Sequence, residues 1–214
     1  MMVDVTPYFD DLLDHPPEGV LDWAAFFGDD RPVELEVGSG KGLFLANAAV
    51  RAPGHNFVGI ELARKYALRA AERLAKRSIP NARVLRGDAR RLLAGHVAPA
   101  SLVAVHIYFP DPWWKTRHRK RRVFCEPFVA DVARVLVPDG DLHLATDVED
   151  YFGVMRDLMA RHPEFAEQPA PVPTLPEHDL DYLTNFERKY RLEGRPIFRA
   201  SYRLAGGAAT PRNQ

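Results

Sequence analysis

Only one cysteine, Cys125, occurs in 214 residues. It has no partner for an internal disulfide, and a Cys-rich zinc site is excluded. Long apolar runs are missing too: no uncharged stretch approaches the roughly 20 residues that a spanning helix needs. The N-terminus, Met1-Met2-Val3-Asp4, lacks the basic-then-apolar order of a secretory signal. There is no excess charge of either sign, with 29 Lys plus Arg against 29 Asp plus Glu, and no internal repeat. These absences lead to the expectation of a cytoplasmic protein without metal and without a membrane. At 46% hydrophobic and 27% charged residues, the composition fits a soluble globular protein, and the length fits one domain with a substantial core.

A balanced total still hides an uneven distribution. Acids crowd the first thirty residues, from Asp4 through Asp30, whereas the block from Lys115 to Arg122 holds six Lys or Arg and no acid. One positive face beside a negative one is the expected result. Hydrophobic periodicity predicts strands over 33–37, 56–60, 83–85, 102–109, 141–145 and 196–204. It predicts helices over 43–50, 62–77, 127–136, 151–161 and 184–192. In the long helix, Leu62, Tyr66, Ala70 and Leu74 form the expected apolar stripe. Alternation of strand and helix predicts an α/β fold with a doubly wound, mainly parallel sheet in a single domain. Residues 1–31 read as an irregular or helical lead-in, 32–204 as the domain, and 205–214 as a frayed tail. The proline-rich stretch from Pro169 to Pro176 reads as a loop or cover.

The densest chemistry follows the uncharged strand that ends at Phe109. Pro110-Asp111-Pro112 fixes one acid in a rigid turn, Trp113-Trp114 adds flat apolar surface, and the basic block comes next. Aromatic faces hold bases and positive charge holds phosphates. A basic run is more often a solvated loop, but its place beside a candidate active site favours nucleic acid.

Gly38-Ser39-Gly40-Lys41-Gly42 separates the first strand of the 32–204 region from its first helix. Glycines there permit a tight turn and close approach of a ligand. The dinucleotide fingerprint needs glycine or alanine where Leu43 stands, so NAD binding is disfavoured, and the spacing of a phosphate-cradling P-loop is not met. Acids fall at the ends of successive strands: Glu36 just before the glycines, then Glu61, Asp88 and Asp111. Each alone reads as a helix cap. Together they point to a ligand site, because open α/β sheets bind ligands at the carboxyl ends of their strands. His106, within an apolar strand, reads as a hydrogen-bonded core residue, and Cys125 as a packed thiol. Thr184-x-x-Glu187 has the form of a capping box.

In order and spacing, Phe109-Pro110-Asp111-Pro112-Trp113-Trp114-Lys115, the basic run, Ala145-Thr146-Asp147 and Thr184-Asn185-Phe186-Glu187 resemble the bacterial tRNA (guanine-N7)-methyltransferase family. This family lies within the Rossmann-like methyltransferases that use S-adenosylmethionine. The resemblance extends from about Val33 to Leu204. It implies methyl transfer to guanine N7 in tRNA, at position 46 of the variable loop, leaving S-adenosylhomocysteine. tRNA is the implied partner, with no obligate protein partner. It further implies that Glu36, Gly38, Gly40, Gly42, Glu61, Asp88 and Asp111 line the cofactor site, Asp111 being catalytic as well. Lys115, Asp147, Thr184, Asn185, Phe186 and Glu187 would bind the substrate, and Arg117, His118, Arg119, Lys120, Arg121 and Arg122 would contact RNA. Two departures are visible: Trp114 stands where the family often has His, and the N-terminal arm is short and acidic. Rival readings are methylation of an exocyclic base amine, a non-catalytic RNA-binding module, and an NAD-dependent oxidoreductase.

Overall fold

A computed structural model describes residues 3–113, 115–170 and 184–206. Among these, eight strands form one sheet: β1 (Phe9–Asp11), β2 (Val33–Val37), β3 (Asn56–Glu61), β4 (Ala82–Arg86), β5 (Leu102–Tyr108), β6 (Leu136–Thr146), β7 (Phe165–Gln168) and β8 (Phe198–Leu204). Their order is β1-β4-β3-β2-β5-β6-β8-β7. Pairing is parallel from β1 through β6, then antiparallel for β6 with β8 and β8 with β7. The helices are α1 (Trp23–Phe27), α2 (Leu43–Arg51), α3 (Arg64–Lys76), α4 (Ala89–His96), α5 (Glu126–Val135), α6 (Glu149–Met159) and α7 (Asn185–Leu192). None of the described helices is long and apolar enough to cross a membrane.

The pleat sorts side chains onto two faces. On one, Val33, Leu35, Val105, Ile107, Leu142 and Leu144 pack against Leu93 of α4, Phe128 and Val132 of α5, and Met155 of α6. On the other, Phe57, Ala82 and Val84 meet Leu45 and Ala49 of α2 and Ala67, Ala70, Ala71 and Leu74 of α3. This is the expected doubly wound, Rossmann-like arrangement. The expected stripe on α3 needs correction. Leu62 precedes the helix, and Leu62 and Tyr66 are 61% and 42% exposed. The buried face is built from small alanines, which bring α3 close to the start of α2. A Cβ on Gly42 would lie 2.7 Å from the Cβ of Ala70.

The lead-in holds more order than its composition suggests. Strand β1 joins the sheet beside β4, where Asp11 pairs with Arg86 at 2.7 Å. Helix α1 is capped by Asp22, which accepts from Ala25 N–H, and ends at left-handed Gly28. Helix α4 and edge strand β7 also lie outside the sequence expectations. The tail from residue 207 and most of the proline-rich stretch, from residue 171, fall outside the described residues.

Strand β2 hydrogen-bonds to β3 on one side and β5 on the other. Chain connections leave it in opposite directions, so a crevice opens at the carboxyl ends of these strands.

Candidate active site

The glycine segment forms the floor of that crevice. Gly38, Gly40 and Gly42 all have left-handed φ, from +54° to +78°. The N–H groups of Gly38 and Ser39 both donate to the Ile60 carbonyl, at 2.8 and 3.0 Å. Arg73 of α3 donates to the Lys41 carbonyl at 2.9 Å, fastening the loop from behind. Nothing lies within 4 Å of where a Cβ would stand on Gly38 or Gly40, so their outer surface is open. Gly59 of β3 supports the loop from below: a Cβ there would lie 2.8 Å from Ser39 Cβ and 2.9 Å from Leu45 Cδ2. Sequence reasoning missed Gly59, since its requirement arises only from contact between two separate elements.

Two carboxylates flank this floor. Glu61, ending β3, accepts from Gly40 N–H at 2.9 Å and Ala63 N–H at 2.8 Å. Glu36 of β2 is 4% exposed, and its Oε2 has no hydrogen-bond partner. Burial, reinforced by the neighbouring charge of Glu61, pushes its carboxyl up to about 8. A buried acid with an open acceptor oxygen is an incomplete site that a cationic or N–H-bearing ligand completes. Asp88 stands at the end of β4 and caps α4 by accepting from Arg90 N–H at 2.9 Å, so the cap reading holds for it.

At the end of β5 the chain enters the Pro110-Asp111-Pro112 turn between two strained residues, Phe109 at φ +52° and Trp113 at φ +42°. Non-glycine residues adopt this region at a cost of roughly 1–3 kcal/mol, and such strain concentrates at functional sites. Surrounding contacts hold the turn in place. Phe109 N–H donates to the Ala145 carbonyl at 2.7 Å. Arg122 Nε donates to the Pro112 carbonyl at 2.7 Å while its guanidinium covers the Tyr151 ring at 4.6 Å. Asp111 itself is exposed.

The basic block winds into a 3-10 helix, Thr116–Arg121. Lys115, Arg117, Lys120 and Arg121 are exposed, while His118 sits edge-on to Trp113 and Arg121 lies 5.1 Å over the Trp113 ring. Arg122 differs from the run's other described arginines and lysines in turning inward to brace the turn. Trp114 lies outside the described residues, as do the side chains of Thr116 and Arg119.

Beyond the turn, Phe109 faces Phe186 and Tyr190 of α7 at 6.2 and 5.5 Å, and those two rings stack on each other. Thr184 caps α7 by accepting from Glu187 N–H at 2.9 Å. The Glu187 carboxylate, fully buried, meets Arg199 at 2.7 Å and Arg191 at 3.2 Å. Asn185 is half-buried and Phe186 is exposed. Asp147, past the end of β6, pairs with Arg195 and does not cap α6. Tyr108 spans the two halves: burial raises its phenol, and the charges of Glu36 and Glu187 both act in the same direction. Tyr108, Tyr190, Arg195 and Arg199 carried no sequence signal, because only the fold brings them to the crevice.

His106 is the expected core histidine, hydrogen-bonded to Glu34 at 2.7 Å and Tyr108 at 3.0 Å. A cavity of about 240 Å3 adjoins it, lined also by Phe44, Asn47 and Arg51 and by none of the expected site residues.

Comparison with known proteins identifies the family. A family model described as "Putative methyltransferase" matches residues 30–200. The chain is 49% identical over 186 residues to the tRNA (guanine-N(7)-)-methyltransferase of Rhodopirellula baltica, covering 83% of this chain and 68% of that one. To the enzyme of the same name from Geobacter metallireducens it is 39% identical over 189 residues, covering 88% and 90%. In fold it is similar to the solved 16S rRNA methyltransferase KamB, with TM-score 0.62, 15% identity and coverage of 88% and 95%. It is similar also to the aminoglycoside resistance methyltransferase NpmB1, with TM-score 0.58, 17% identity and coverage of 84% and 90%. Those two structures share the fold alone, whereas identity of 49% and 39% over most of the chain is narrower: the chain belongs to the tRNA (guanine-N7)-methyltransferase family.

Proposed function

We propose that this protein transfers a methyl group from S-adenosylmethionine to N7 of a guanine in tRNA, the target lying in the variable loop. The observation that carries the reading is the strained turn that holds exposed Asp111 just past the end of β5, the strand that pairs with Glu36-bearing β2 and whose following residue, Phe109, meets Phe186 and Tyr190. The crevice residues fit the cofactor. Glu36 supplies a buried acceptor without a partner, Glu61 a carboxylate at the end of β3, and Gly38 and Gly40 an open backbone surface. When bound, S-adenosylmethionine supplies an electrophilic methyl group.

Guanine N7 carries an in-plane lone pair and no proton, so no general base is required. The protein's task is alignment of nucleophile and methyl carbon. Asp111 offsets the positive charge that develops on the purine as N7 takes the methyl group. Asp147, Lys115 and the residues Thr184, Asn185, Phe186 and Glu187 form the base pocket, with Thr184 and Glu187 acting through the fold of α7. Arg117, Lys120 and Arg121 draw in the phosphate backbone, and Arg122 secures the turn. A stacked target base leaves its neighbours for roughly a few kcal/mol of unstacking.

The test is mass spectrometry of nucleosides from tRNA lacking this modification, after incubation with the protein and S-adenosylmethionine. 7-Methylguanosine is the expected product, mapped by fragment analysis to the variable loop. Methylation of an exocyclic amine would overturn the N7 assignment.

A further inference from the structure

Asp147 is already occupied in the free protein. Helix α7 ends at left-handed Gly194, and Arg195 N–H donates back to the Tyr190 carbonyl at 2.9 Å. This folds the Arg195 side chain over its own helix. Its guanidinium lies 4.3 Å from the Tyr190 ring centroid and pairs through Nη2 with Asp147 Oδ2. The Asp147 side chain is only 7% exposed beneath a partner that is 41% exposed. A nearly buried carboxylate is therefore covered by a group whose outer side faces solvent, and whose other near acid, Glu193, is 3.9 Å away.

The covering group has a particular chemistry. A guanidinium is flat, stacks on aromatic rings and presents adjacent N–H donors to a carboxylate. The N1–H and 2-amino edge of guanine is likewise flat and presents two adjacent N–H donors. Adenine, cytosine and uracil offer no such adjacent pair. Resting on the proposed guanine methylation, we infer that Arg195 is a resident mimic of the substrate base: it fills the place on Tyr190 and Asp147 that guanine takes, and guanine must displace it. The contact is autoinhibitory. It keeps the buried carboxylate partnered while the site is free of RNA, and it raises the threshold for a base to enter.

The sign of the effect separates this role from others. Loss of a positive charge near RNA weakens binding, and loss of a residue that merely orients Asp147 also weakens it. Loss of a competitor strengthens it. Arg195→Ala is expected to lower KM for tRNA roughly three- to fivefold, the scale of a half-exposed ion pair, with kcat changed much less. Arg195→Lys, which keeps the charge but loses the flat fork, shifts KM the same way and covers poor folding of the alanine variant. Millimolar guanidinium chloride should raise KM of Arg195→Ala towards the wild-type value, beyond the effect of equal sodium chloride. A KM equal to or above wild type in both variants overturns the inference, as does the lack of any guanidinium-specific effect. Wild-type protein that forms no 7-methylguanosine in tRNA would instead overturn the proposed function.

Discussion

Asp111 and Glu187 are both acids near the crevice, and their surroundings assign them different work. Asp111 is exposed in a turn that Arg122 and the Phe109 backbone already hold. Replacing it with Asn should leave the melting temperature nearly unchanged and lower kcat by roughly 10²–10³-fold, as loss of one transition-state contact does. Single-turnover methylation and a thermal melt on the same sample check this; near-normal turnover would remove Asp111 from the chemistry. Glu187 is fully buried between Arg199 and Arg191. Glu187→Gln leaves buried cationic charge without its counterion, so stability should fall by roughly 3 kcal/mol in urea denaturation, and activity should fall with the folded fraction. The acids at the strand ends were legible from spacing alone. Their division of labour was not, because Arg195 opposite Asp147 is remote in sequence and Arg199 opposite Glu187 lies on a different element, β8; of the three, Arg191 alone is local, four residues on in α7.

At the scale of elements, β2 matched its expected bounds and most other strands and helices shifted by a few residues. The strand ends were legible because 33–37 alternates apolar residues with glutamates between Pro32 and Gly38, and 102–108 is an uncharged run that leads through Phe109 to Pro110. The misses share a physical cause. Strand β1 has only three residues and two are acids; it is held by Asp11–Arg86 and by pairing with β4, contacts with no local signature. Edge strand β7 buries only Phe165 fully. In α4, Arg90 and Arg91 interrupt the apolar pattern. The basic helix was legible as charge but not as shape. Its exposed side chains and Arg122, which turns inward just past its end, predict different outcomes. A double variant of Arg117→Gln with Lys120→Gln should make the slope of log affinity against log salt shallower by roughly 1–2, as loss of one or two phosphate contacts does. Its stability should stay close to wild type. Arg122→Gln should instead destabilise the turn and lower Tm, with a smaller change in salt slope. Filter binding across a salt series separates the two; an unchanged slope in the double variant removes this helix from the RNA interface.

For the whole molecule, two buried groups pull stability in opposite directions with pH. Burial and the adjacent His106 lower His143 from 6.5 to about 4. Below pH 6.5 the unfolded chain takes up a proton that the folded chain refuses, so this contribution is lost as pH falls towards 4. Glu36 has the opposite sign, since burial and Glu61 raise it from 4.5 to about 8. Between these values the unfolded chain has lost a proton that the folded chain keeps, so stability falls as pH rises from 4.5 to 8. His143→Gln should flatten the acid limb of a urea-denaturation profile, and Glu36→Gln the alkaline limb. The alkaline limb also connects stability to function. A cationic ligand set against Glu36 favours the carboxylate and lowers its pKa, so binding of S-adenosylmethionine at pH 7 should release up to about one proton. Calorimetry in two buffers of different ionisation enthalpy measures that release directly. It should vanish above pH 9, where Glu36 is already ionised, and in Glu36→Gln. A proton count of zero in wild type at pH 7 would show that the ligand does not address this carboxyl.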